Sequence, residues 1–131
     1  MCKNFIILLM LLGCYQKESK NFDINDYRKV EYYDTSLPYP PQYFINVKDT
    51  SIKFIRSFWD NGNLKGECYY YKGKMNGIFK IFNIDGITSM IGNYVNGKCE
   101  GNFQYFDVIT NRITKSILYK NDTILKVINN D

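Results

Sequence analysis

The feature that most constrains this chain is a repeat of 24 residues. Shifting the sequence by that interval superimposes Phe58 on Phe82, Gly62 on Gly86, Tyr70 on Tyr94, Gly73 on Gly97, Lys74 on Lys98, Gly77 on Gly101, Phe79 on Phe103 and Phe82 on Phe106. A fixed period of this length means one supersecondary unit laid against copies of itself. Within the unit, Tyr71-Lys72-Gly73-Lys74 and Val95-Asn96-Gly97-Lys98 place an x-Gly pair between alternating segments. That is a hairpin signal, because both central residues of the tight turn need positive φ. Trp59-Asp60-Asn61-Gly62 and Asn83-Ile84-Asp85-Gly86 supply the return loops. The expected fold is all-β: an antiparallel meander of hairpins in a single-layer or open twisted sheet.

The turns imply a register. If Tyr71 faces Lys74, then Tyr70 faces Met75 and Cys68 faces Gly77. Through the next loop, Gly77 faces Gly92 and Met75 faces Tyr94. One face then carries Cys68, Tyr70, Met75, Gly77, Phe79, Ile81, Met90, Gly92, Tyr94, Cys99, Gly101, Phe103 and Tyr105, with no charge among them. The opposite face, from Glu67 and Tyr69 to Gln104 and Phe106, is mixed. A slip of one residue would exchange the two sets, so the clean partition supports the pairing. Glycines 77, 92 and 101 are expected side by side on the apolar face, leaving room for flanking aromatic rings.

The strings Gly73-Lys74-Met75-Asn76-Gly77-Ile78-Phe79-Lys80-Ile81-Phe82 and Gly97-Lys98-Cys99-Glu100-Gly101-Asn102-Phe103-Gln104-Tyr105-Phe106, each after a tyrosine-bearing strand, resemble the bacterial variant of the MORN repeat. Two clear copies cover about residues 62–107. Degraded copies flank them at Val47-Lys48-Asp49 into Ser51 to Phe58, and at Tyr119-Lys120-Asn121-Asp122 into Ile124 to Ile128, as the caps of a stacked array should. Proteins with such repeats are often labelled antitoxins of toxin-antitoxin systems, so the resemblance implies a protein-interaction module whose sharpest form neutralises a toxin partner.

The amino terminus points to the cell envelope. Lys3 precedes an apolar run from Phe5 to Leu12, whose helix would rise only about 12 Å against a hydrocarbon core of roughly 30 Å. That suits a secretion signal, not a membrane span. Leu11-Leu12-Gly13-Cys14 resembles the lipobox of bacterial lipoproteins, in which the cysteine receives the acyl chains that anchor the mature protein. The expected organisation is a signal peptide over 1–13, a polar and Pro-Tyr tether over 14–42 beginning at the lipid-bearing Cys14, and a repeat domain over 43–131. Tyr15 following the anchor favours the outer over the inner membrane.

The remaining composition limits the chemistry. There is no histidine, which removes the commonest general base and transition-metal ligand. The net charge of +4 is scattered, without the cationic footprint that nucleic acid demands. Asp60 and Asp85 fall in return loops, where acids serve turn geometry, and Glu67 and Glu100 stand isolated on the mixed face. Cys68 and Cys99 lie three strands, about 14 Å, apart, beyond the reach of a disulfide, and are expected as buried free thiols. No catalytic residue, metal site or cofactor is expected. What remains is a surface: Tyr69, Tyr71, Ile78, Phe82, Ile91, Val95 and Phe106 make the mixed face unusually apolar, and this face or the open sheet edges would contact a protein. The alternative is a glycan or anionic lipid, met by the aromatic face and the basic turn residues Lys72, Lys74 and Lys98.

Overall fold

The structure, a computed structural model, describes residues 23–30 and 36–130; the signal segment and Cys14 lie outside the described residues. After a 3-10 turn at Ile24–Asp26, ten strands form one open antiparallel sheet: β1 (Tyr27–Val30), β2 (Gln42–Asn46), β3 (Ile52–Phe58), β4 (Leu64–Tyr71), β5 (Lys74–Phe82), β6 (Thr88–Val95), β7 (Lys98–Cys99), β8 (Gly101–Phe106), β9 (Ile113–Lys120) and β10 (Thr123–Asn129). Each strand pairs with its sequence neighbour, β7 and β8 forming one ribbon against β6. From β2 to β10 the chain makes four hairpins, so both degraded flanking copies are structural units.

The tight turns explain which degraded positions are tolerated. Lys72-Gly73 and Asn96-Gly97 have φ of 48° and 79°, and 50° and 80°, while Asn121-Asp122 adopts the same geometry at 51° and 68° without a glycine. Asparagine and aspartate accept this left-handed region more readily than other side chains. At the other end, the N–H groups of Trp59, Asn83 and Asp107, spaced by 24, close the return loops onto the carbonyls of Asn63, Ile87 and Arg112, each at 2.8 Å. A one-residue bulge follows each loop. In the second and third, the hydroxyls of Ser89 and Thr114 donate to the carbonyls of Ile81 and Tyr105 across the ladder.

The expected register holds at the turn and shifts by two beyond it. Tyr71 pairs with Lys74 and Tyr70 with Met75, but Cys68 faces Phe79 rather than Gly77, and Gly77 faces Tyr94 rather than Gly92. Asn76, Gly77 and Ile78 together face Tyr69, forming a bulge in which Gly77 has φ of 117°. The next unit repeats this with Gly101 at φ 80° between the Tyr94–Cys99 and Ile91–Gln104 pairs. Two inserted residues leave the alternation of side chains unchanged. The faces therefore come out as expected, although glycines 77, 92 and 101 are not neighbours. The bulges also connect hairpins: Asn76 Oδ1 accepts the Asn96 N–H at 3.1 Å, and Glu100 Oε2 accepts the Asn121 N–H at 2.9 Å.

The described residues supply no second layer, so burial among them comes from rings lying along the sheet. On the face of Tyr70 and Tyr105, where pairing also brings Lys53 opposite Tyr70 and Lys115 opposite Tyr105, Phe79, Tyr94, Phe103 and Tyr119 meet edge to face at centroid separations of 5.7, 5.6 and 5.0 Å. Phe103 is 3% exposed because it covers Gly92, where a Cβ would stand 2.3 Å from the ring. On the opposite face at the amino-terminal end, Phe54 is packed by Phe44, Tyr69 and Tyr27, with the Arg56 guanidinium 5.3 Å above its ring.

The tether expectation needs one correction. Tyr27–Val30, inside the expected tether over 14–42, is a strand paired with β2. Its tyrosine docks on Phe54, a contact between distant segments that periodicity along the chain does not reveal. The Pro-Tyr segment packs against the domain, with the Tyr39 ring over Gly62, where a Cβ would meet it at 2.9 Å.

Two outcomes are expected. Gly92→Ala should cost about 1–3 kcal/mol through overpacking against Phe103, read as a lower urea midpoint at unchanged slope. Burial pushes the Tyr69 and Tyr94 phenols up to about 12 from an ordinary 10.0. Folding thus favours the uncharged form, a contribution complete below pH 10 and lost as pH climbs through 12. Thermal melts across that interval should fall less steeply in a Tyr69→Phe, Tyr94→Phe variant.

Candidate binding surfaces

The seven residues singled out on the mixed face reach three separate places. Tyr69 and Tyr71 come together, with Ile52, Tyr70, Asn76 and Asp49, around a cleft of about 430 Å³ near the tight turns. Beside it the Lys72 ammonium lies 5.2 Å from the centre of the Tyr71 ring, and Val95 is exposed on the next hairpin. Phe82 and Phe106 stand at the return-loop end, paired with Thr88 and Ile113, about 20 Å from Tyr71 at strand rise. Ile78 and Ile91 occupy the middle.

A largely polar row, interrupted by Ile91, runs between the cleft and the distal aromatic pair. Across the sheet, Arg56, Glu67, Lys80, Ile91, Gln104 and Ser116 lie directly opposite one another in turn. Arg56 Nε donates to Glu67 Oε1 at 2.9 Å. The mixed face is therefore a cleft and a distal aromatic pair divided by charge.

Two apolar surfaces outside those seven residues are more exposed, one at the return loops and one at an open sheet edge. The return loops carry Ile84, Ile87, Val108 and Ile109, the last 90% exposed. Their backbones are held by Asn83 Oδ1, which accepts the N–H groups of Asp85 and Ile87, and by Asp107 Oδ1, which accepts those of Ile109 and Thr110. These bonds hold the Asp107 carboxyl below its ordinary range. The second surface is β10, exposed along its whole length, with Ile124, Leu125, Val127 and Ile128 between 42% and 59% accessible. In sequence both resemble ordinary strand and loop residues. Only the absence of a covering layer among the described residues distinguishes them.

A second cleft, of about 230 Å³, lies between the Pro-Tyr segment and the sheet, lined by Lys29, Tyr39, Pro40, Gln42 and Phe58 among others. Among the described residues, no three His, Cys, Asp or Glu side chains gather as a metal site would require. No described helix is long and apolar enough to cross a membrane.

Cys68 and Cys99 are free thiols. They are half-buried rather than enclosed, since a one-layer sheet covers each from one side only. Burial pushes both thiols up from their ordinary range, opposed by hydrogen bonds with Tyr70 at Cys68 and Tyr94 at Cys99. Both should therefore alkylate slowly at neutral pH in the native protein and fully after unfolding without reductant. Loss of free thiol in the non-reduced, unfolded sample would mean a disulfide.

No family model matches the chain, and no curated protein matches it. Among solved structures, a crystal structure of TarM is similar to it, with 14% identity and a TM-score of 0.45 over 82% of this chain. The chain spans 22% of the length of that structure's chain.

Proposed function

We propose that this chain is a non-catalytic binding module of the MORN-variant kind, anchored in the bacterial envelope through lipid on Cys14, and that its partner is a protein. The observation that carries the reading is the single-layer sheet. Only Phe44, Phe54, Phe103 and Ile117 are buried apolar residues among those described, while aliphatic side chains on β10 and the return loops stay in water. A domain that leaves such surface beside open backbone edges has more to gain from a partner than from its own packing. Antitoxin-like neutralisation of a toxin is the most specific form of this proposal. One feature favours glycan or anionic lipid as a second reading: Lys72, Lys74 and Lys98 are exposed together at the tight-turn end.

Capture from envelope extract by the immobilised full chain should recover one protein in stoichiometric amount, and recovery of none would overturn the protein-partner reading. Sedimentation of a Cys14→Ser form with anionic vesicles or cell-wall fragments tests the second reading, which predicts pelleting. Mass spectrometry of the mature amino terminus should find an acylated Cys14, and an unmodified terminus elsewhere would remove the anchor.

A further inference from the structure

The cleft at the tight-turn end joins aromatic and polar walls. Tyr69 and Tyr71, alternate residues of β4, line it together with Ile52, which lies directly opposite Tyr71. The Tyr69 ring is held by Phe54, 4.7 Å away between centroids. Asp49 and Asn76 supply the polar wall. Asn76 enters it through the bulge at Gly77, which sets three residues of β5 against Tyr69 and so re-aims a side chain. Its Oδ1 accepts the Asn96 N–H at 3.1 Å. That bond fixes the amide and leaves its Nδ2 group without a partner among the described residues. Asp49 is half engaged in the same way: the Ser51 N–H and hydroxyl both donate to Oδ1, and Oδ2 accepts nothing among the described residues.

The fold does not need these groups. Twenty-four residues on, Asn93, Val95 and Glu100 stand in the places of Tyr69, Tyr71 and Asn76, yet the bulge forms again at Gly101. Glu100 is there taken up by Lys120 and the Asn121 N–H. Charge then narrows the ligand. The Lys72 ammonium lies 5.2 Å from the centre of the Tyr71 ring, but the Asp49 carboxylate lines the same cleft, so an anionic headgroup would meet repulsion beside attraction. A hydroxyl both donates and accepts, and a pair of them can use Asp49 Oδ2 and Asn76 Nδ2 together. The C–H face of a sugar ring is apolar surface that a tyrosine ring can cover. We infer that this cleft binds a short stretch of neutral glycan, stacked on Tyr71 and hydrogen-bonded by Asp49 and Asn76. Its volume of about 430 Å³ lies within the roughly 300–1,000 Å³ of small-molecule sites. The inference rests on the second reading above and chooses saccharide over lipid within it.

The test is titration calorimetry of the full chain, held in a detergent that carries no sugar, with cellotetraose and with chitotetraose, the tetramer of N-acetylglucosamine. At least one should bind with a dissociation constant of about 1 mM or tighter. Tyr71→Ala removes a ring and Asp49→Asn removes the charged acceptor, and each should weaken that binding about tenfold. Val95→Ala, at the equivalent position of the next hairpin, should leave it unchanged. If one cleft variant loses its strand signal in circular dichroism, the other decides. Anionic vesicles free of glycolipid should not displace the bound oligosaccharide. No binding of either probe, equal weakening by Val95→Ala and Tyr71→Ala, or displacement by the vesicles overturns the inference. Capture of a protein from envelope extract is read separately, so the two readings fail independently.

Discussion

Phe103 lies against the backbone of Gly92 so closely that any side chain there would occupy its space. This contact shows how the molecule buries side chains on a sheet that has no opposing layer among the described residues. Apolar side chains that stood upright would meet water on most sides. Rings laid across a strand bury themselves and cover the ladder beneath. The edge-to-face series from Phe79 to Tyr119 extends that arrangement through the carboxy-terminal hairpins, adding the favourable geometry of aromatic pairs to burial. The amino-terminal hairpins use the other face, where Phe44, Phe54 and Tyr69 stack under Arg56.

Because each ribbon touches only its neighbours, stability is close to a sum of hairpin and hairpin-to-hairpin terms. The latter are made locally. Asn76 and Glu100 each reach the next tight turn, and Asn61 and Asn63 both donate to the Ile84 carbonyl of the next return loop. Trp59 Nε1 adds a bond to the Phe82 carbonyl. The ends of such an array differ from its middle. One end is closed by β1 and the Pro-Tyr segment, whereas among the described residues β10 has a neighbour on one side only.

Surfaces for recognition follow from the same geometry. Turns and loops recur every 24 residues, so equivalent side chains line up along the two ends of the strands. Lysines and tyrosines gather at the tight turns, and aliphatic residues gather at the return loops. The mixed face, which looks like one apolar patch when read along the chain, is crossed by Arg56, Glu67 and Lys80, brought opposite one another by register alone.

By itself the sequence determined the all-β class, the hairpin meander, the positions of the turns and the division of side chains between faces. Each depends on local spacing: an x-Gly pair at a turn, a period of 24, an alternation of two. Only the tertiary structure decided where surplus residues go. Two extra residues at Gly77 preserve alternation whether they sit in a loop or a bulge, so no side-chain pattern could reveal the shift that sets Phe79 against Cys68. It also decided that Tyr27–Val30 joins the sheet and that no other described segment covers β10. Strand partnership rests on contacts between distant segments, and exposure depends on what else the chain brings to cover a surface.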